Sequence, residues 1–382
     1  MIPLFKIAVN KEAALAGLSA VFDSGFINEG IQVAELTRVL SEKLSSDKLV
    51  LMNSCTSALT VALRLAGAGP GKNVVSSPMT CIASNTPIIN LGAEIRWADV
   101  DPDSGMVTVE TLDYAIDENT TAVLFVDWAG VPPELDKIDA WAKAREIPTI
   151  QDAAHAFLAE YQERPIANFA DFTCFSFQAI KHFTCGDGGA LICRSDEHFD
   201  RARKLKWFGY DREESKDEKG NWKAQQASAD ISEQDIGYKF NMNNLAAAIG
   251  LGNLPQAETM VERHRANAAT LDAAFANSAY LRPAMRPSRS NPAFWVYTTI
   301  LSDDSIDRDA LIAALAAEGV SAGQVHVPND IYSAFGRFKT DLPGVRRFSD
   351  RQISLPCGWW VEDEQIAHIA SATLAKCAEL SA

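Results

Sequence analysis

The chain has 382 residues, 47% of them hydrophobic, so it can bury large cores, and two domains are expected. Its formal net charge of -15 argues against nucleic acid or an anionic membrane as the main partner. We expect a cytoplasmic protein without membrane insertion, because no apolar run approaches the roughly 18 residues of a membrane span. The seven cysteines are scattered and the six histidines lack metal-ligand spacing, so neither disulfides nor a metal site is predicted.

The first half of the chain alternates helical periodicity with short apolar runs. Helices are predicted at residues 11–24, 33–44, 57–66, 84–91 and 135–144. Strands are predicted at residues 49–52, 74–75, 95–97, 122–126, 148–150, 172–177 and 189–193. Strands that are apolar on both faces and separated by helices indicate an α/β fold with a mostly parallel sheet.

The second half of the chain has a different pattern. Residues 211–230 are polar and charged, which predicts a long exposed excursion. The helical region at 245–277 is interrupted by Pro255, which we interpret as a hinge between domains. A strand at 295–301 and helices at 308–318 and 362–380 then indicate a smaller α+β unit. The predicted domains are therefore residues 1–250 and 251–382.

A single lysine, Lys181, lies between an apolar strand and a glycine cluster. The segment 176–189 reads Ser-Phe-Gln-Ala-Ile-Lys-His-Phe-Thr-Cys-Gly-Asp-Gly-Gly. The glycines permit backbone turns that other residues cannot make. A buried lysine is partly unprotonated and can therefore form an imine. The alternative is an ordinary surface lysine, and two further motifs decide against it.

The first of these motifs is Asp152-Ala-Ala-His155, just after the strand predicted at 148–150. Ligands of open α/β sheets bind in the crevice beyond such strand ends. A carboxylate there can keep a pyridine nitrogen protonated, and His155 can lie over the ring or its phenolic oxygen. The alternatives are a helix N-cap for Asp152 and a structural role for His155.

The second motif is the hydroxyl-rich turn that opens the helix after the first strand. Ser54, Thr56 and Ser57 combine side-chain hydroxyls with free backbone N–H groups, which together make an anion site. Simple N-capping is the commoner use of such residues, and Ser176 has the same ambiguity. An imine-forming lysine, an acid and a phosphate cradle are what pyridoxal phosphate (PLP) requires, so the sequence predicts a PLP site.

With these motifs in place, the chain resembles the PLP-dependent nucleotide-sugar aminotransferases of the DegT/DnrJ/StrS type. The resemblance rests on segments 25–30, 53–59, 93–102, 152–155, 176–189, 237–242 and 354–356. It implies the type I fold of aspartate aminotransferase. That fold has a large domain with a mostly parallel seven-stranded sheet flanked by helices, and a smaller α+β C-terminal domain.

The resemblance also implies roles for single residues. Lys181 would hold the cofactor as an imine and move protons, Asp152 would pair with the pyridinium, and His155 would lie near the phenolic oxygen. The phosphate would be held by Ser54, Thr56, Ser57 and Ser176.

Two cofactor-site positions depart from the family pattern. Cys81 stands where the family usually has an aromatic residue that stacks on the cofactor ring. Lys239 stands where it commonly has an asparagine that reaches the phosphate of the partner subunit's cofactor, and a cation can serve a phosphate as a point charge. The segment around Trp128 departs as well, so substrate contacts there stay open.

The implied reaction moves an amino group from glutamate to a keto sugar on a nucleotide, by default a 4-keto-6-deoxy sugar for lipopolysaccharide, O-antigen or a related glycan. Because the family shares sites between subunits, a homodimer is expected. Candidate substrate contacts are Lys204, Lys206, Arg212 and His326. One alternative is a PLP-dependent sugar 3-dehydratase, which has a histidine in place of the lysine; Lys181 opposes it, but the neighbouring His182 keeps it open. The other is a non-catalytic regulatory protein.

Overall fold

A computed structural model describes residues 1–211 and 231–381, so Arg212 and nearly all of the predicted excursion lie outside the described residues. The helices are α1 Lys11–Ser24, α2 Ile31–Lys43, α3 Cys55–Leu65, α4 Ile82–Asn90, α5 Val109–Ala115, α6 Leu135–Lys143, α7 Asp196–Leu205, α8 Asn244–Asn253, α9 Ala257–Phe275, α10 Arg308–Ala317, α11 Pro343–Arg351 and α12 Asp363–Leu380. The strands are β1 Leu49–Met52, β2 Asn73–Ser76, β3 Glu94–Trp97, β4 Thr120–Val126, β5 Thr149–Asp152, β6 Glu160–Tyr161, β7 Arg164–Pro165, β8 Phe172–Ser176, β9 Gly189–Cys193, β10 Leu281–Pro283, β11 Ser290–Asn291, β12 Tyr297–Leu301 and β13 Gln352–Leu355.

The main sheet has seven strands in the order β1-β9-β8-β5-β4-β2-β3. The five strands from β8 to β3 pair in parallel, whereas β9 is antiparallel to both β8 and β1. The predicted mostly parallel seven-stranded sheet is therefore confirmed. Because β4, β5 and β8 run in the same direction, the residues that follow them meet at one edge of the sheet.

The lysine segment is the connection between the antiparallel strands β8 and β9. Its base is closed by the Phe177 N–H, which donates to the Gly188 carbonyl at 2.9 Å, and by the Cys185 N–H, which donates to the Phe177 carbonyl at 2.9 Å. The side chains of Phe177 and Phe183 are buried and their rings pack edge to face. These contacts hold the loop at the edge of the sheet where β5 also ends.

A second hydrophobic core surrounds the antiparallel sheet β10-β12-β13 and helices α9, α10 and α12. The first residues of the chain join this core, since Ile2 is buried in it and the Ile2 N–H donates to the Gly319 carbonyl at 2.7 Å. Pro255 lies in a short 3-10 turn between α8 and α9, where the sequence predicts an interruption. The domain boundary at residue 250 stays a prediction.

Within residues 1–211 and 231–381, no helix is both long and apolar enough to cross a membrane. The same residues contain no cluster of three or more His, Cys, Asp or Glu side chains arranged for a metal ion. All seven cysteines are free thiols, six of them buried.

Two buried imidazoles lie between the lysine loop and the second core. A ring nitrogen of His182 donates to the Ala293 carbonyl at 2.9 Å, and one of His264 donates to the Phe294 carbonyl at 2.7 Å. Burial lowers the pKa of His264 to about 4 and that of His182 well below its usual value. Both rings are therefore neutral at pH 7.

We expect the His264→Gln variant to lose part of the acid sensitivity of the fold. Below pH 6.5 the unfolded chain protonates this imidazole and the folded chain does not, so the free energy of unfolding falls by about 3 kcal/mol as the pH approaches 4. Glutamine cannot titrate, so that part of the pH slope disappears. Urea denaturation at pH 7 and pH 4.5 measures the difference, with the exposed His368→Gln as control. Equal losses in the wild type and His264→Gln would contradict this prediction.

Candidate active site

A cavity of about 280 Å³ lies at the sheet edge where β5 and β8 end, beside the lysine loop. It brings together most of the predicted site residues. These are Ser54, Thr56, Cys81, Asp152, His155, Ser176, Lys181 and His326. They come from five separate segments of the chain, so folding alone assembles this group.

Asp152, the last residue of β5, is 4% exposed and lines the cavity. Its Oδ2 accepts a hydrogen bond from Ser84 Oγ at 2.6 Å, and its Oδ1 accepts one from the Ala154 N–H at 3.1 Å. Burial raises the pKa of the carboxyl, while these hydrogen bonds and the charge of Lys181 act in the opposite direction. In its ionised form this buried carboxylate would attract a cationic ligand atom strongly, because little water screens the two charges.

His155 is 2% exposed, and its Nδ1 has no hydrogen-bond partner within the part of the chain that the structure describes. Its ring stacks on Trp295, with centroids 4.0 Å apart, and lies parallel to His326 at 5.4 Å. Burial and the nearby Lys181 lower the pKa of His155 well below its usual value. A neutral imidazole with one unused nitrogen beside the cavity can bind a ligand oxygen.

The half-buried side chain of Lys181 reaches the same cavity. Its Nζ lies 3.7 Å from the ring centroid of Trp295. Burial lowers the pKa of the amine from 10.5 to about 8, even though Asp152 and the thiols of Cys81 and Cys55 favour the charged form. About a tenth of the amine is therefore unprotonated at pH 7, far more than for an exposed lysine. Nucleophilic attack and proton abstraction both require this unprotonated form.

The hydroxyl-rich turn forms the N-terminus of α3. Ser54 is the N-cap, and its Oγ accepts a hydrogen bond from the Ser57 N–H at 3.0 Å. Thr56 is exposed and lines the cavity together with Ser54 and Ser176, so their hydroxyls and the first free N–H groups of α3 can bind an anion. Ser57 does not line the cavity; its Oγ donates to Asn53 Oδ1 at 2.6 Å.

Gly189, the first residue of β9, lets this strand approach the start of α3. A Cβ at this position would overlap the backbone nitrogen of Cys55 and the backbone carbon of Ser54. The absence of a side chain at position 189 therefore allows the lysine hairpin to lie directly against the anion-binding turn.

Three further predicted residues are not brought to the cavity. Lys206 forms an ion pair with Glu29, with Nζ 2.5 Å from Oε1. Lys239 Nζ lies 2.5 Å from Asn241 Oδ1 and 4.2 Å from the ring centroid of Trp207. Lys204 is on α7, half-buried and away from the cavity, and Arg212 lies outside the described residues.

His326 lines the cavity, and its environment changes what it can do there. Burial and the charge of Lys181 lower the pKa of His326 to about 4, so its ring is neutral at pH 7. A neutral imidazole adds no positive charge for a diphosphate. Hydrogen bonding to an uncharged group is the chemistry that this position offers.

Sequence patterns missed two contributors to the cavity. Ser84 binds Asp152 and is in turn 2.8 Å from Thr80 Oγ1, so it orients the carboxylate. Its position in the first turn of α4, three residues after Cys81, is the only local signal. Trp295 also lines the cavity, although it is distant in sequence from the other lining residues, and no local pattern near it indicates a site.

The residues present fit pyridoxal phosphate. The buried carboxylate of Asp152 matches a protonated pyridine nitrogen, and the unused Nδ1 of His155 matches the phenolic oxygen. The start of α3 with Ser54, Thr56 and Ser176 matches the phosphate, and the amine of Lys181 matches the aldehyde.

Comparison with known proteins decides the family. The family model described as the DegT/DnrJ/EryC1/StrS aminotransferase family matches residues 9–373. The chain belongs to this family. The prediction of an aminotransferase with this fold, made from the sequence, is confirmed.

Solved structures agree with the family. AtS13 from Actinomadura melliaura is 34% identical over 98% of both chains, with a TM-score of 0.91. The sugar aminotransferase CalS13 from Micromonospora echinospora is 30% identical over 98% of this chain and 100% of its own, with a TM-score of 0.90. Spr1654 from Streptococcus pneumoniae has been solved in PMP and PLP forms, and each is 26% identical to this chain. The match to the PMP form covers the full length of both chains, with a TM-score of 0.90. These forms accord with the predicted cofactor.

Proposed function

We propose that this aminotransferase moves an amino group from glutamate to a keto sugar carried on a nucleotide. The cofactor is pyridoxal 5'-phosphate, with pyridoxamine 5'-phosphate as its aminated form. One observation carries the proposal: Lys181, Asp152 and the N-terminus of α3 line a single cavity. The sugar as acceptor is supported by the similarity to CalS13, which is a sugar aminotransferase.

Each residue of the cavity then has a chemical task. The bound cofactor supplies an aldehyde and an electron-withdrawing ring that stabilises negative charge on the carbon next to nitrogen. Lys181, with a pKa of about 8, would move a proton between the cofactor and the α-carbon of glutamate or the carbon of the sugar that receives nitrogen. Asp152 holds the ring nitrogen protonated, and Ser84 keeps the carboxylate in place. His155 binds the phenolic oxygen, and Ser54, Thr56 and Ser176 hold the phosphate.

The charge of the cavity supports a homodimer. Among the described residues that line it, Lys181 is the only lysine or arginine. Glutamate carries two carboxylates and a nucleotide sugar carries a diphosphate, so further cations must come from elsewhere. We place them on a second copy of the chain, whose Lys239 and Lys204 are the candidates within the described residues, because Lys206 is already paired with Glu29. Four exposed apolar side chains, between the end of α1 and the start of α2, also support an interface between the two copies: Phe22, Phe26, Ile27 and Ile31.

The acceptor that we propose is a 4-keto-6-deoxy sugar, and its product is an amino sugar for lipopolysaccharide, O-antigen or a related glycan. The neutral ring of His326 suits sugar hydroxyls better than a carboxylate. The cytoplasm as location rests on the free thiols, because such compartments keep cysteines reduced.

The geometry gives no support to the sugar 3-dehydratase alternative. That alternative depends on a histidine in the position of the lysine, and His182 does not line the cavity. Its ring instead binds the Ala293 carbonyl and packs against His264, with ring centroids 4.8 Å apart. A non-catalytic protein would not require an amine with a lowered pKa beside a buried acid.

Absorbance spectra of the purified protein with PLP, before and after glutamate, test the proposal. We expect glutamate to convert the PLP spectrum to the pyridoxamine form and to release one equivalent of 2-oxoglutarate per site. Aspartate and alanine serve as control donors, and keto sugars are then screened for reversal of the change. A bound cofactor whose spectrum glutamate leaves unchanged would overturn the proposed donor.

A further inference from the structure

Trp295 is the centre of an aromatic stack at the cavity wall. Its side chain is 3% exposed and stacks with Phe5, with centroids 4.6 Å apart, and with His155, with centroids 4.0 Å apart. His326 lies near both rings, with its centroid 5.4 Å from that of His155 and 6.1 Å from that of Trp295. The indole therefore has neighbours that restrict its movement.

The same indole contacts the lysine loop twice. Its Nε1–H donates to the carbonyl of Ile180 at 2.8 Å. Ile180 is the residue just before Lys181. Its ring centroid lies 3.7 Å from Lys181 Nζ. One side chain thus holds both the backbone and the amine of the lysine, although 115 positions separate Trp295 from Ile180.

We infer that Trp295 is a positioning residue for Lys181. Its indole ring holds the Lys181 amine at the cavity wall, and the face of that ring stabilises the protonated form of the amine. This inference rests on the proposed role of Lys181 as the group that moves the proton. The aromatic face carries negative charge density and attracts an ammonium group at this distance.

Other groups around the amine also affect the pKa of Lys181. Asp152, Cys81 and Cys55 favour the charged amine, whereas burial opposes it more strongly. His155, His326 and His182 also face Lys181, and all three are neutral at pH 7. The indole face therefore offsets part of the effect of burial, and its removal would lower the pKa of Lys181 further.

Two substitutions separate the two contacts. Trp295→Phe and Trp295→Leu both lose the hydrogen bond to Ile180, but only phenylalanine keeps an aromatic face. We expect Trp295→Leu to lower the pKa of Lys181 by about 0.5 to 1 unit relative to Trp295→Phe, from the usual strength of such contacts. Any effect common to both variants reports on the Ile180 bond.

The measurement uses the full-length protein without cofactor, so its outcome does not depend on the proposed reaction. Lys181 is labelled with acetic anhydride between pH 6 and 10, and its extent of labelling is followed by peptide mass spectrometry. The matched control is Phe5→Leu, which removes one ring of the stack but keeps the indole, and which should leave the pKa of Lys181 at its wild-type value.

A Trp295→Leu value equal to or above that of Trp295→Phe would overturn the inference. If the leucine variant does not fold, Trp295→Met takes its place, because methionine is also apolar and has no aromatic face. A lowered pKa in the methionine variant supports the role of the ring, and an unchanged one contradicts it.

Discussion

Lys181→Ala is expected to lower kcat for amino transfer by about 10⁴-fold or more. General acid-base catalysis alone contributes about 10²- to 10⁴-fold, and this variant also loses the amine that would attack the cofactor aldehyde. The substitution removes the contact of the amine with Trp295 but leaves the backbone bonds that close the lysine loop, so the fold should persist. The measurement is single-turnover conversion of the cofactor by glutamate, followed by absorbance.

Controls make the result specific to the amine at this position. Lys181→Arg keeps a positive charge but cannot lose its proton, so it should be as inactive as the alanine variant. Lys137→Ala removes an exposed lysine that pairs with Glu134 and should behave like the wild type. Added ethylamine should restore part of the rate in Lys181→Ala by entering the space left behind. Near-normal turnover in Lys181→Ala would remove this residue from the mechanism.

Asp152→Asn is expected to lower kcat by about 10³-fold, equivalent to ~4 kcal/mol of transition-state stabilisation. The negative charge that favours a protonated ring nitrogen is removed, while the shape of the side chain and its contact with Ser84 are largely kept. The cofactor should still bind, with weaker affinity. Fluorescence titration with PLP and single-turnover kinetics with glutamate measure the two effects separately.

Asp127→Asn is the matched control for this substitution. Asp127 follows β4 as Asp152 ends β5, and it is also fully buried with a pKa raised well above its usual value by burial. However, its carboxylate faces Gln151, whose Nε2 donates to both oxygens at 3.1 and 2.8 Å, and it does not line the cavity. Equal losses of turnover in the two variants would indicate a general effect of buried charge.

Local patterns predicted the positions of three residues that line the cavity. Asp152 follows an apolar strand, Ser54 opens a helix, and Lys181 precedes a glycine cluster, so each could be placed at the sheet edge without a structure. The contacts that orient them could not be predicted in this way. Ser84 is 68 positions from Asp152, and Trp295 is 115 positions from Ile180.

Charge was the least predictable property. Lys206 has the character of a phosphate ligand in the sequence, but the structure places Glu29, 177 positions away, against its amine. The buried setting of His326 likewise makes its ring neutral. Composition shows which residues can carry charge, while the packing of distant segments decides which of them do.

The close approach of β9 to α3 at Gly189 has a consequence for redesign of this enzyme. Any side chain at this position would push the lysine hairpin away from the anion-binding turn, so position 189 is closed to substitution whatever acceptor is sought. Cys81, by contrast, is a partly accessible residue on the wall of the same cavity. Libraries aimed at new substrates should therefore diversify residue 81 and leave the junction of strand and helix untouched.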